Sequence, residues 1–121
     1  MINLKNSKPF FFENSRIPVL LSYVSPITIG AITLGPVVFS RGEISDRTKR
    51  HETIHWQQYI ETLVIGFPIL YALFWVLGCI KYRSGKMAYA MIPFEQEAYS
   101  YDEHEYYLLN RKRYTWTKYK L

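Results

Sequence analysis

Cysteine is nearly absent: the 121-residue chain has one, Cys79, set in an apolar run. A single thiol excludes an internal disulfide and a cysteine-based zinc knuckle, and its setting reads as a small buried residue, not a reactive group. Acidic residues are few, ten against fifteen Lys and Arg, which leaves a formal net charge of +5. Charge is missing altogether from residues 17–40, where Pro18, Pro26, Pro36, Gly30 and Gly35 argue against one continuous helix. A secretory leader is not expected either. Phe10, Phe11, Phe12 and Glu13 interrupt any basic-then-apolar pattern, and no convincing cleavage site follows. Residues 1–16 are expected to form an arm packed on the domain, and the chain to be cytoplasmic or membrane-associated.

What is present argues for a folded body. Apolar residues make up 49% of the chain, with eleven Tyr, seven Phe and three Trp, which rules against disorder. The length suits a single domain, residues 1–121, with one modest core. Much of the positive excess lies near the C-terminus, at Arg111, Lys112, Arg113, Lys118 and Lys120, among Tyr114, Trp116 and Tyr119. Such a pattern can stack on nucleic acid, but no recognition motif accompanies it. A solvated basic tail, or one touching anionic lipid, is the expectation, and nucleic acid is not expected as a partner.

The β-branched content of residues 27–40 predicts two short strands, 27–33 and Val37–Ser40, joined at Leu34-Gly35-Pro36. Gly30 inside the first would mark either a close backbone approach, such as a substrate added as a strand, or relief of a packing clash.

The centre of the chain carries His51-Glu52-Thr53-Ile54-His55, of the form His-Glu-x-x-His. On a helix the two imidazoles lie one turn apart on one face and can converge on one point. Zn²⁺ takes imidazole nitrogens at about 2.0–2.1 Å, so the pair is half of a tetrahedral site. Glu52 stands beside them as the group to take a proton from a metal-held water. Ser45 or Asp46 is expected to cap this helix, which is read as running to about residue 65, with Gly66 and Pro68 ending it.

Residues 62–80 are uncharged and largely apolar, followed at once by Lys81, Arg83 and Lys86. A continuous helix there would reach about 28 Å, close to a bilayer's hydrocarbon thickness. The break at Gly66-Phe67-Pro68 divides it and favours a buried core helix from Pro68, with membrane association through 62–80 as the rival reading. Pro93 then opens a further helix, expected to run to about residue 110.

A catalytic site of this kind needs a third protein ligand and leaves a fourth position for water. The acids and histidine downstream are Glu61, Glu95, Glu97, Asp102, Glu103, His104 and Glu105. Glu61 falls on the far side of the first helix and cannot converge. Ala98, one turn after Glu95, is the small residue a close helix crossing favours, which selects Glu95, while a rotation of that helix would substitute Glu97.

His51-Glu52-Thr53-Ile54-His55 followed by Glu95-Gln96-Glu97-Ala98-Tyr99 resembles the gluzincin metallopeptidases, whose third ligand is a Glu on a later helix. The Glu-x-x-Ala form and the apolar segment between the motifs are similar to the integral-membrane gluzincins, and the size to the minigluzincins. The resemblance implies an α+β, mainly helical, zincin-like minimal domain: a small antiparallel sheet or hairpin, an active-site helix and a glutamate helix. It implies Zn²⁺ on His51, His55 and Glu95, Glu52 as the catalytic carboxylate, and a peptide or protein substrate. One departure stands out. The related pattern has Asp four residues after the ligand Glu, where this chain has Tyr99, which weakens the expected support of the ligands. Tyr71, Tyr89, Tyr101 and His104 are the residue types available to stabilise an oxyanion. The rival classes are a non-catalytic or latent zinc-binding domain, and a membrane-surface protein in which the His pair is incidental. Oligomeric state carries no signature in the sequence.

Overall fold

The structure, a computed structural model, describes residues 8–25 and 29–121. Among these the fold is α+β and mainly helical, with six α-helices and a three-stranded sheet. The order is β1 (Phe10–Phe12), α1 (Ile17–Ser22), β2 (Ala31–Leu34), β3 (Val37–Ser40), α2 (Asp46–Glu61), α3 (Gly66–Tyr82), α4 (Gly85–Met91), α5 (Pro93–Tyr101) and α6 (Tyr107–Asn110). A 3₁₀ turn at Thr115–Lys118 follows.

β2 and β3 form an antiparallel hairpin in which Leu34 faces Val37. Gly35, first of the two loop residues, has φ +62°, the left-handed sign that primed hairpin turns require. β1 adds to the other side of β3 in parallel, with Phe10 opposite Val37. The sheet is therefore mixed, with order β1-β3-β2, where an antiparallel one was expected. Of the expected arm 1–16, residues 1–7 lie outside the described residues; β1 docks on the sheet, and the outer edge of β2 has no strand beside it among the described residues. The expected strand 27–33 begins only at Ala31, and its residues 27 and 28 lie outside the described residues. Gly30 is a bend before β2, where an added Cβ would meet nothing within 4 Å, so a packing clash does not explain it. α1 was not expected from the sequence. Pro18 sits in its first turn, where the missing N–H has no helical partner to lose.

The Ser45 side chain caps α2 by accepting from Thr48 N at 3.1 Å. This helix stops at Glu61, earlier than expected, because Leu63 and Val64 take left-handed φ values of 59° and 65°. Gly66 and Pro68 do not end it; they open α3, whose first turn tolerates proline. One face of α3 is packed. Phe67 stacks between Tyr59 and Phe94, at 4.0 and 4.5 Å, and Gly78 lets α4 come so close that an added Cβ would lie 2.9 Å from Ala88 Cβ. The opposite face, including Ile65, Ile69 and Ile80, is exposed, so the expected buried core helix is only half buried. Among the described residues no single helix is long and apolar enough to cross a membrane; α2 and α3 meet at a bend of 108°.

α5 ends at Tyr101, not near residue 110. The carbonyl of Asp102, which a longer helix would bond internally, instead accepts from Arg50 Nη1 at 2.5 Å. Tyr59, Phe67, Ile92 and Phe94 form the core, with Trp56, Phe74 and Trp116 packed against it. That core joins α2, α3 and α5 and fixes how α2 and α5 cross.

Candidate metal centre

Helical spacing puts His51 and His55 on the buried side of α2, and α5 crosses there with Ala98 fully buried. The crossing brings Glu95 to both imidazoles. Its Oε1 lies 3.1 Å from His51 Nε2 and 3.0 Å from His55 Nε2. One ligand atom from each of the three residues lies within 4.8 Å of the others. In a tetrahedral zinc site adjacent ligand atoms stand about 3.3 Å apart, given bonds of about 2.0–2.1 Å. The two Glu95–histidine separations are close to this, and the donor set can hold one ion once its widest separation, up to 4.8 Å, narrows.

The outward nitrogens are tied down by groups that decide which way each ring faces. His51 Nδ1–H donates to Asp102 Oδ2 at 3.0 Å, and Asp102 Oδ1 accepts from Arg47 Nε at 3.0 Å. His55 Nδ1–H donates to Gln58 Oε1 at 2.8 Å. The Gln58 amide cannot usefully turn round, because its Nε2 donates to Phe94 O and Glu97 Oε1, both at 3.0 Å. Each imidazole therefore has an acceptor at Nδ1 that fixes its ring with Nε2 directed at Glu95, the orientation in which Nε2 would serve as a metal ligand. Glu95 is held too, since its Oε2 accepts from the Tyr71 hydroxyl at 2.6 Å.

Charge at this point is balanced by protons. Burial works against a charged His55, but the adjoining Glu95 carboxylate outweighs it and raises His55 to about 9. Burial likewise works against ionised Glu95, yet His55 and His51 hold its carboxyl well below the usual range. Burial, then the Glu95 charge, keep the Tyr71 and Tyr89 hydroxyls protonated far above the usual phenol value.

Glu52 is buried, and its Oε2 accepts from Thr33 Oγ1 of β2 at 2.5 Å. Tyr59 OH donates to the Thr33 carbonyl at 3.0 Å, which ties the strand to α2. These groups form the floor of an open cleft of ≈ 1340 Å³, walled by β2 on one side and by Pro68, Tyr71 and Trp75 of α3 on another. Of the candidate oxyanion donors, Tyr71 and Tyr89 line this cleft. Tyr101 stacks on Tyr107 away from it, and His104 is exposed beside Tyr101.

The remaining acids part company. Glu97, fully buried, meets no histidine; Arg111 Nε donates to its Oε2 at 2.6 Å and so does Tyr107 OH, also at 2.6 Å. Arg111 also grips Glu61, at 2.7 and 2.8 Å. Arg111 is thus a buried residue joining α2 to α5, not part of a solvated tail. Glu103, His104 and Glu105 are exposed. Asp102, weighed as a ligand, instead orients His51, the support that Tyr99 was expected to have forfeited. Tyr99 packs its ring edge-on to His51, with centroids 4.5 Å apart. Asp102 stands two turns past Glu95 on the same face of α5, a spacing that could have flagged it.

No family model, curated protein or solved structure matches the chain.

Proposed function

We propose that the protein is a zincin-like, zinc-dependent metallopeptidase that hydrolyses peptide bonds with a metal-activated water. The observation that carries this reading is the number and placing of the donors. Three buried ligand atoms converge at the base of an open cleft, and a structural site would be closed by four. A Zn²⁺ held by His51, His55 and Glu95 would polarise the scissile carbonyl and lower the pKa of the attacking water towards neutrality.

The chain's own residues supply the rest. Glu52 takes the proton of the attacking water as the new C–O bond forms, then delivers it to the amine as the C–N bond breaks. Thr33 Oγ1 fixes the Glu52 carboxylate relative to β2. The outer edge of β2, unpaired among the described residues, lines the cleft, where an extended peptide can add as a strand and present its carbonyl to the floor. Tyr71 and Tyr89 are both protonated. Tyr71 directs its proton to Glu95, whereas the Tyr89 hydroxyl, paired with Tyr99 OH, can accept from that partner and turn its own proton to the developing oxyanion. The N-terminal strand β1 lies on the far side of β3 from this edge.

Elemental analysis of purified protein tests the reading, with Glu52→Gln beside the parent. About one zinc per chain in both, with peptide hydrolysis in the parent alone, is the expected result. Equal hydrolysis in both removes Glu52 from the mechanism, and zinc without hydrolysis in either leaves a zinc-binding domain.

A further inference from the structure

The exposed face of α3 has no role in the chemistry above. Ile65, Ile69, Leu73, Val76, Leu77 and Ile80 are exposed to between 44% (Leu77) and 72% (Ile65) of their area. At 100° per residue these six fall within an arc of about 120°, one continuous apolar face along the helix. Patches of this extent are uncommon on free monomers and mark a contact surface. The stretch before it adds Leu63, 86% exposed, held out by the left-handed pair Leu63 and Val64. A β-branched residue in that conformation is strained, so the chain accepts a backbone cost in the turn that displays these side chains.

Charge decides what covers this face. No acidic residue occurs between Glu61 and Glu95, whereas Lys81, Arg83 and Lys86 cluster at one end of the helix. Lys81 Nζ donates to the carbonyl of Leu121 at 2.7 Å, which brings Lys120 to the same end. A second copy of this surface would offer these cations no acid. An anionic leaflet offers both an apolar interior and phosphate charge. The helix does not span. Its seventeen residues reach about 25 Å, short of about 30 Å of hydrocarbon, and its other face is engaged by Phe94, Glu95 and Ala88.

We infer that α3 is an interfacial anchor: its apolar face lies in the headgroup–acyl boundary of an anionic bilayer, with the Lys81–Lys86 end on the phosphates. Pro68 and Ala72, both exposed, line the cleft and border this face. On the other side of the mouth, exposed Val24 also lines it. Docking therefore sets the cleft opening at the membrane surface, whatever reaction it performs.

Flotation of the full chain with phosphatidylcholine vesicles, with and without phosphatidylglycerol, tests this, alongside light scattering in the absence of lipid. The expected result is co-flotation with the anionic vesicles. Ile69→Glu/Leu73→Glu abolishes it while helical content by circular dichroism is unchanged. Leu73→Ser, milder if the glutamates disturb folding, weakens it roughly tenfold. Arg83→Asn/Lys86→Ser weakens binding to anionic vesicles by roughly fivefold per cation. No flotation with either vesicle overturns the inference, as does flotation that Leu73→Ser leaves unchanged. A dimer that Leu73→Ser dissociates, with no vesicle binding, assigns the face to a second copy instead.

Discussion

Glu95 and Glu97 stand two residues apart on one helix, both buried against α2, and they meet opposite fates. Glu97 is met by Arg111, a permanent cation that also closes on Glu61, with Tyr107 and Gln58 completing the shell. Glu95 is met by two imidazoles and a phenol, whose charge depends on a proton. The first arrangement is finished as it stands. In the second, a divalent cation can replace the imidazolium proton, because the same Nε2 atoms can accept a metal once they give it up. One buried carboxylate holds the helices together; its neighbour holds a place for chemistry.

The sharpest way to break the comparison is Arg111→Ala. The substitution leaves Glu61 and Glu97 buried without their counter-charge, and removal of one partner of such a cluster costs about 3–5 kcal/mol. The urea midpoint should fall accordingly, by the same amount with and without zinc. A loss confined to the zinc-bound protein would mean that the two regions are one unit.

A smaller effect, of opposite kind, belongs to the Glu95 region. His55 is raised from 6.5 to about 9, so in the metal-free protein its contribution is complete below about 6.5 and is lost as pH rises through about 9. Glu95 is lowered from 4.5, so its contribution is present above 4.5 and is lost as pH falls towards its folded value. Metal-free stability should be greatest between those limits and decline by up to about 3 kcal/mol towards pH 9. Zinc reverses the alkaline limb. The ion must displace the His55 proton, so the stabilisation it adds grows over the range in which the metal-free protein weakens. Denaturation midpoints across pH, with zinc and with a chelator, measure both limbs; parallel curves would show that zinc does not bind through His55.

How much of this was legible in the sequence follows from the range over which each residue acts. His51 and His55 are one helical turn apart, a spacing local geometry alone interprets. Glu95 was selected through Ala98, since close crossing needs a small residue, and the crossing does bury Ala98 completely. The hairpin was marked by Gly35, but the parallel addition of β1 was not, because nothing in three phenylalanines states a direction. Arg111 reads like its exposed neighbours Lys112 and Arg113; its partner Glu61 lies fifty residues back, and ion pairing at that distance leaves no pattern in the chain. The exposed half of α3 was equally hidden. A helix apolar all round looks like a core helix until its neighbours are known to cover one side.

Asp102 gives the finest division between the two regions, because it touches the candidate centre through His51 alone. Asp102→Asn keeps the side-chain shape and an oxygen to accept from His51 Nδ1, but removes the negative charge that makes Nε2 a better donor to a metal. The same change neutralises the Asp102–Arg47 ion pair, but 56% of the Arg47 side chain is in solvent and such a pair contributes little to stability. Zinc affinity should therefore fall about 10–100-fold while the metal-free urea midpoint barely moves. Competition against a chromophoric chelator measures the first and denaturation the second. Tyr99→Asp, which installs the carboxylate one turn after Glu95, should not raise affinity in the otherwise unchanged protein, because Asp102 already occupies His51 Nδ1. In the Asp102→Asn background, recovery of zinc binding by Tyr99→Asp would show that the two positions after Glu95 serve one function from successive turns. If stability and affinity fell together in Asp102→Asn, the carboxylate would belong with Glu97, as a brace between helices.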